Sequence, residues 1–396
     1  MSDANTPTSV LARAQASLNQ GDSAQAVQAL SAALRESPDQ ASLWAALGLA
    51  LREEARPDLA AAAFIKVLHL EPGQVDAQMH LGMIRLAQGR QTEGWLLCQA
   101  RWDSPRWAEP MRYPQQSLWK GECRPGMRLL LWAEQGLGDA LQFGRYAPWL
   151  QQLLQSQGAS VVLEVPEALL RLLQESWPAL DIVARGRLPG HFDAHLPLTD
   201  LPYCWRGLGE GRLPYLPLDS PYLRAPSAPV VPSTSLQRQS PVLKVGLVWQ
   251  GRPAFPGDRW HSLPFAALQP LWDVPGVTCV SLQQAAADAP AWLPDAVQAC
   301  EDCADLARVV QGLDLVLGVD SDVAHLAAAL GKPVWLLLPR APDWRWGLQG
   351  EGTPWYPAMR LFRRGGQEAC SEVIHRAAAA LGCLVSERLL LGLVVA

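Results

Sequence analysis

Residues Asp314–Pro339 read DLVLGVDSDVAHLAAALGKPVWLLLP. The uninterrupted apolar run Leu313–Val319 predicts a strand buried on both faces. Asp320 and Ser321 end it, and serine is a residue that starts helices by accepting a bond from an orphan backbone N–H. Val323–Leu330 then suits a helix, and after Gly331-Lys332-Pro333 the run Val334–Leu338 is a second buried strand. Strand, helix and strand in so short a span predict two parallel strands joined by a crossover helix.

The alternation continues upstream. Val242–Trp249 and Val277–Gln283 read as strands, Phe265–Leu271 and Cys303–Gly312 as helices. Ala225–Pro241 is rich in proline and serine and reads as a linker. Before it, Met127–Ala133 (MRLLLWA), Ser160–Val165, Asp181–Ala184 and Ala194–Leu198 read as strands, with helices over Leu137–Gln157 and Pro166–Glu175. Two open α/β lobes follow, with a cleft between them. Such sheets bind ligands at the carboxyl ends of their strands, so that cleft is the expected active site.

The first hundred residues obey a different period. Pro38 and Pro72, Leu47 and Leu81, Gly48 and Gly82 are each 34 residues apart, and so are Gly21, Ala55 and Gly89. Small residues at fixed steps let paired helices approach, and proline ends each pair. A 34-residue step of this kind is the tetratricopeptide signature. It predicts helix pairs at 8–20 with 23–36, 40–54 with 57–70, and 74–88 with 91–101. Such arrays offer a concave surface for an extended peptide, or serve only as packing elements. The expected partition is therefore repeats at 1–104, a linker at 105–127, a first Rossmann-like lobe at 128–224, a linker at 225–241, a second lobe at 242–366 and a helical segment at 367–396.

Bulk properties narrow the function. The chain has 396 residues, 49% apolar and 18% charged, with net charge −5. That describes cored globular domains, and without a basic block nucleic acid is not an expected partner. Met1–Val10 is polar and lacks a secretory pattern, which points to the cytoplasm. The apolar run Leu389–Ala396 is too short to span a bilayer, which takes about 20 residues, and reads as a segment packed on the second lobe. Cys300 and Cys303 form one C-x-x-C without a second pair, so no metal site is expected.

Four constellations fall at strand ends. Glu134-Gln135-Gly136-Leu137-Gly138-Asp139 follows the first strand; its glycines permit a sharp turn, and Asp139 brings a carboxylate to the cleft or caps the helix. Asp320-Ser321-Asp322-Val323-Ala324-His325 opens a helix whose first N–H groups suit a phosphate. Trp249 to Ser262 carries Arg252 and Arg259, guanidinium groups fitted to a diphosphate, or else a surface loop. Pro342-Asp343-Trp344-Arg345-Trp346 reads as a ligand-facing wall or as a packing loop.

Taken together, Leu129–Tyr146 (LLLWAEQGLGDALQFGRY), Asp314–Pro339 and Pro342–Arg363 resemble bacterial tetratricopeptide proteins fused to a GT-B glycosyltransferase domain. That domain is related to the ADP-heptose transferases of lipopolysaccharide synthesis and, more loosely, to O-GlcNAc-transferase-like enzymes. The resemblance implies an inverting enzyme that needs no metal or other cofactor and takes a nucleotide sugar as substrate. It implies Asp139 as base, with Asp320, Ser321 and His325 on the donor diphosphate. Gly136, Gly138, Gln142, Trp249, Arg252, Arg259 and Asp322 complete the donor side, and Asp343, Trp344 and Trp346 the acceptor wall.

The chain departs from the family pattern at Asp322, Phe255, His261 and Arg340. Asp322 is expected to compete with a donor phosphate for its own helix start, or to pair with Arg340. The leading expectation is transfer to a protein Ser or Thr hydroxyl recruited by the repeats. The alternatives are a lipid-linked or polysaccharide acceptor, and a non-catalytic scaffold with a degenerate donor site.

Overall fold

In the computed structural model of the chain, the described residues are 6–105, 110–134, 136–187, 189–205, 221–227, 243–251, 262–284, 288–366 and 368–395. They form two compact units. One comprises Met1–Arg112 with Arg340–Gln349, the other Tyr113–Pro339 with Gly350–Ala396.

The first unit holds helices α1 (Pro7–Asn19), α2 (Ser23–Glu36), α3 (Ala41–Glu53), α4 (Pro57–Leu70), α5 (Val75–Ala87) and α6 (Gln91–Cys98), with a 3-10 turn at Gln99–Asp103. The 34-residue step has a direct physical cause. A Cβ on Gly48 would lie 2.8 Å from the Phe64 ring, and one on Gly82 would lie 2.8 Å from Cys98 Sγ. Each glycine is where one helix touches its partner. Between the helices, Gly21 and Gly89 have φ of 85° and 77°, and Ala55 takes the same left-handed turn at 56°.

Arg340–Gln349 belongs to this unit rather than to the second lobe, where the sequence placed it. Trp344 stands edge-on to Trp95 with ring centroids 5.1 Å apart, and Trp346 is buried. Asp343 caps the short turn Trp344–Trp346, accepting from Arg345 N at 3.0 Å and from Arg345 Nη1 at 2.9 Å. Arg340 Nη2 donates to the Glu54 carbonyl at 3.3 Å. The tryptophan-rich stretch is thus a packing loop for the repeats, and the acceptor-wall role expected of Asp343, Trp344 and Trp346 is corrected accordingly.

In the second unit, the first lobe runs β1 (Arg128–Trp132), α7 (Leu137–Gly144), α8 (Tyr146–Gln155), β2 (Ser160–Val165), α9 (Glu167–Ser176), β3 (Asp181–Ala184), β4 (Ala194–Pro197) and α10 (Leu201–Trp205). Its sheet has the order β3-β2-β1-β4, with every pair parallel. The helix expected over Leu137–Gln157 is two helices. Pro148 cannot donate a backbone bond and crowds the carbonyl four residues back, Gly144, where α7 ends.

The second lobe runs β5 (Leu243–Val248), α11 (Gln269–Trp272), β6 (Val277–Ser281), α12 (Cys303–Gln311), β7 (Leu315–Gly318), α13 (Asp322–Ala329), β8 (Val334–Leu338), β9 (Met359–Arg363) and α14 (Cys370–Val395). Its order is β6-β5-β7-β8-β9, again all parallel. β5, β7 and β8 are almost wholly buried, as uninterrupted apolar runs should be. Val373, Ile374, Ala377, Leu381 and Val385 of α14 join the core of this lobe. Further along α14, Leu390 and Leu391 are 63% and 67% exposed, so they do not pack on the lobe as the apolar run suggested. Among the described residues no helix is long and apolar enough to cross a membrane.

The stretch expected as the linker 105–127 is partly structural. Trp119 N donates to His195 O at 2.9 Å and His195 N to Ser117 O at 3.0 Å, so the segment lines the free edge of β4. Trp119 is buried there. Most of the second linker, 225–241, lies outside the described residues.

Candidate active site

Each sheet reverses its strand order once, between β1 and β4 in the first lobe and between β5 and β7 in the second. Ligands of open α/β sheets bind at such switch points, outside the carboxyl ends of the strands. The helices that leave them are α7, after β1, and α13, after β7. Their starts touch. Gly138 N, in the first turn of α7, donates to Asp322 Oδ1 at 2.7 Å. A Cβ on Gly138 would come 2.9 Å from His325 Cδ2 and 3.1 Å from Asp322 Oδ1. Neither Gly136 nor Gly138 has a positive φ. Glycine at 138 therefore serves close approach of the other lobe, not the sharp turn expected of it.

Ser321 caps α13, its hydroxyl accepting from Ala324 N at 3.3 Å. Asp322 opens the same helix, yet its carboxylate serves the start of α7. The expectation that Asp322 competes for its own helix start, or pairs with Arg340, is corrected: Asp322 joins the two lobes. Asp139 follows Gly138 directly and is half-buried.

His325 is 5% exposed. Its Nδ1 lies 2.7 Å from Tyr356 Oη, and its Nε2 lies 3.7 Å from Asp320 Oδ1. Tyr356 leads to Arg145 at the other end of α7. The Arg145 guanidinium lies 4.7 Å from the Tyr356 ring centroid and 4.5 Å from that of Tyr222. It donates to Gln142 O at 2.6 Å, to Trp355 O at 2.7 Å and to Tyr222 Oη at 3.2 Å. Burial pulls its pKa down, but the surrounding phenols of Tyr222, Tyr356 and Tyr146 outweigh burial, and the pKa stands above the ordinary arginine value. The second lobe thus grips α7 at both ends.

Around this contact, Arg185 donates to Ala133 O at 2.7 Å and also to Glu134 O, and Thr199 donates its hydroxyl to the buried Glu134 carboxylate. These bonds tie the end of β1 to the ends of β3 and β4. A second tie between the lobes is Arg171 of α9, whose Nε and Nη2 reach Asp302 at 2.8 and 2.6 Å and whose Nη2 reaches Asp305 at 2.6 Å.

Two residues expected on the donor side face inward. Trp249 is 0% exposed; its ring lies in the second-lobe core and its Nε1 donates to Asp288 at 3.0 Å. Gln142 is also 0% exposed. Both are corrected to structural positions. Arg252 and Arg259, together with Phe255 and His261, lie outside the described residues. The two ends of that loop are joined by Gly251 N donating to Ser262 Oγ at 2.9 Å. Burial pushes the Cys303 thiol up to about 12 and also raises Cys300, so neither is a ready thiolate. Among the described residues no three His, Cys, Asp or Glu side chains gather as metal ligands.

Residues 298–358 match glycosyltransferase family 9 (heptosyltransferase), and residues 11–64 and 46–100 match the tetratricopeptide repeat family. The chain thus combines a segment similar to tetratricopeptide repeats with a segment similar to glycosyltransferase family 9. It is similar to protein FlbA of Caulobacter vibrioides, at 27% identity over 403 residues, covering 85% of this chain and 66% of FlbA. Among solved structures it is similar to the iron-containing dodecameric glycosyltransferase TibC from enterotoxigenic E. coli H10407, with TM-score 0.39 and 15% identity over 70% of this chain and 78% of TibC. The E. coli ADP-heptose LPS heptosyltransferase II gives TM-score 0.40 and 16% identity over 66% of this chain and 99% of its own.

Proposed function

We propose that the chain transfers a sugar from a nucleotide-sugar donor held where α7 and α13 meet. The observation that carries this reading is the contact itself. Two helix starts, each at the switch point of its own sheet, come within one hydrogen bond of each other. Helix starts favour anions through their N–H groups and dipole, which suits a donor diphosphate. Asp320, Ser321 and His325 lie on the second-lobe side of the contact, and Asp139 on the first-lobe side.

The chemistry follows from those groups. Asp139 accepts the proton of an acceptor hydroxyl as its oxygen attacks the anomeric carbon. The bond from that carbon to the diphosphate breaks, and the charge on the leaving oxygen is met by the start of α13 and by His325. The family's description as heptosyltransferases makes an ADP-linked heptose the first donor to test.

For the acceptor we propose a protein hydroxyl brought by the repeats. Repeat arrays commonly bind extended peptides, which supports this, but Trp344 packs against Trp95 within the repeat unit. A deletion of residues 1–104 would strip that loop of its partner, so substitutions on the exposed repeat surface are the cleaner probe. A non-catalytic scaffold is the second reading, favoured by the Asp322 carboxylate at the cleft.

A thermal-shift screen of the full chain against nucleotide sugars separates the two. A donor that binds only the folded chain stabilises it by about 2.7 kcal/mol at a hundredfold excess over Kd. Stabilisation by one donor, with nucleoside diphosphate released when an acceptor is added, is the expected result. No stabilisation by any donor would favour the scaffold.

A further inference from the structure

We propose that Tyr222 is a positioning residue for the candidate site: it caps the far ends of α7 and α13 together and so sets how their starts meet. The proposal rests on reading that meeting point as the donor site.

The last four carbonyls of a helix have no onward partner and must be met from elsewhere. α7 ends at Gly144 and α13 at Ala329. Both ends are met by one short stretch, Tyr222-Leu223, which lies in the sequence between α10 of the first lobe and β5 of the second. Tyr222 N and Leu223 N each donate to Ala329 O at 3.1 Å. The Tyr222 hydroxyl donates to Leu141 O, in the last turn of α7, at 3.0 Å. The next carbonyl, Gln142 O, is met by Arg145 Nε at 2.6 Å, and Arg145 Nη2 donates to the Tyr222 oxygen at 3.2 Å. The Tyr356 hydroxyl is bonded to the Tyr222 hydroxyl as well. Burial holds the Tyr222 phenol above its ordinary pKa, against the opposing pull of Arg145, so it keeps the hydrogen that it gives to Leu141.

The stretch is itself fixed to the first lobe. Trp177 Nε1 donates to Tyr222 O at 3.1 Å, and Arg224 N donates to Ser176 Oγ at 3.0 Å, both at the end of α9. α7 and α13 are each eight residues long, about 12 Å. A rod held at one end can pivot, and a pair held at both ends cannot. The Gly138–Asp322 bond joins the two helices at their starts, and Tyr222 joins them at their far ends. Asp139 is carried by α7 and His325 by α13. The joint at Tyr222 therefore sets the spacing between the groups on the two sides of the cleft.

Hydrogen exchange reads that joint without a ligand. In the full chain the Gly138 amide is protected by its bond to Asp322, whereas the Leu317 amide, in the middle of β7, is exposed only by global opening. Tyr222→Phe keeps the ring against Arg145 and the backbone bonds to Ala329, and removes the hydroxyl alone. Gly138 exchange should then speed up about tenfold relative to Leu317, the scale of one hydrogen bond. An unchanged ratio would overturn the assignment, because a merely structural loss speeds both amides alike. If Tyr222→Phe does not fold, Asp322→Ala puts the question in reverse, since coupling between two places is reciprocal. The Tyr222 and Leu223 amides should then speed up relative to Leu317, and an unchanged ratio would again overturn it. With whichever nucleotide sugar stabilises the full chain, Tyr222→Phe should lower kcat about tenfold and leave the donor KM unchanged, as displacement of a reacting group does. A kcat equal to the wild type would overturn the positioning role. A wild type that turns over no nucleotide sugar would sink the donor reading, while the exchange ratio still decides the joint at Tyr222.

Discussion

The two helix starts that meet in the cleft are built differently. α13 caps itself through Ser321. α7 begins after Gly136, has no side-chain cap of its own, and gives its Gly138 N–H to Asp322 of the other lobe. One start is complete within its lobe. The other is completed by a carboxylate of the second lobe. On the proposed reading, a donor's anionic group and the Asp322 carboxylate would both seek the start of α7.

The contact is broken most severely at Gly138. In a helix, alanine is favoured over glycine by about 1 kcal/mol. Gly138→Ala should nevertheless destabilise the chain by about 1–3 kcal/mol, the usual cost of overpacking, because its methyl would meet His325. Turnover should fall about 10²-fold as the site is displaced. A melting temperature at or above that of the wild type would mean that the two helices are not in contact.

The two caps should then part company. Ser321→Ala and Asp322→Ala should each cost about 1 kcal/mol of stability, the usual worth of a helix cap. Their effects on ADP affinity should have opposite signs. Losing the Ser321 hydroxyl removes a group from the diphosphate side and weakens binding. Losing the Asp322 carboxylate removes a competing anion and tightens binding by up to about fivefold, the range of a charge at a helix start. Isothermal titration of both variants checks this, and weaker binding in Asp322→Ala would make Asp322 a donor ligand instead of a competitor.

A smaller effect is expected from the second tie. The bond from Arg171 holds the Asp302 carboxyl below its usual pKa. For Asp305 burial acts the other way, but Arg171, the Glu301 N–H and Arg308 prevail and its pKa is lowered too. With folded values depressed, the contribution of this tie is complete above about pH 4, the ordinary carboxyl pKa, and is lost as pH falls through the folded values. Arg171 is partly exposed, so the tie should be worth less than about 1 kcal/mol. Urea unfolding should separate Arg171→Gln from the wild type at pH 7 and bring the two together near pH 3.

Much of the fold was legible because its signals are local. Buried strands show as apolar runs, and the repeats show as a 34-residue step fixed by Gly48 against Phe64 and Gly82 against Cys98. At the site, the strand ends carrying Gly138, Asp139, Asp320, Ser321 and His325 could be picked out, since strand-to-helix turns have their own residue types. What could not be read is pairing over distance. Nothing near Asp322 in the sequence announces that its partner is Gly138, 184 residues away. The grip of Trp355, Tyr356 and Tyr222 on Arg145 is equally remote, although Arg145 and Tyr356 both fall within motifs that stood out. Trp249 directly follows β5 and its ring lies in the second-lobe core, which its place at a strand end does not disclose, and aromatic density at Trp344 and Trp346 does not say which surface it covers.

The central claim is that the meeting point of α7 and α13 is a catalytic cleft with Asp139 as its base. Comparing donor affinity and turnover in Asp139→Asn and the wild type tests it most directly, using whichever nucleotide sugar stabilises the full chain. Removal of a general base should leave the fold and donor affinity unchanged and lower turnover by about 10²-fold or more. Turnover equal to the wild type would contradict the account.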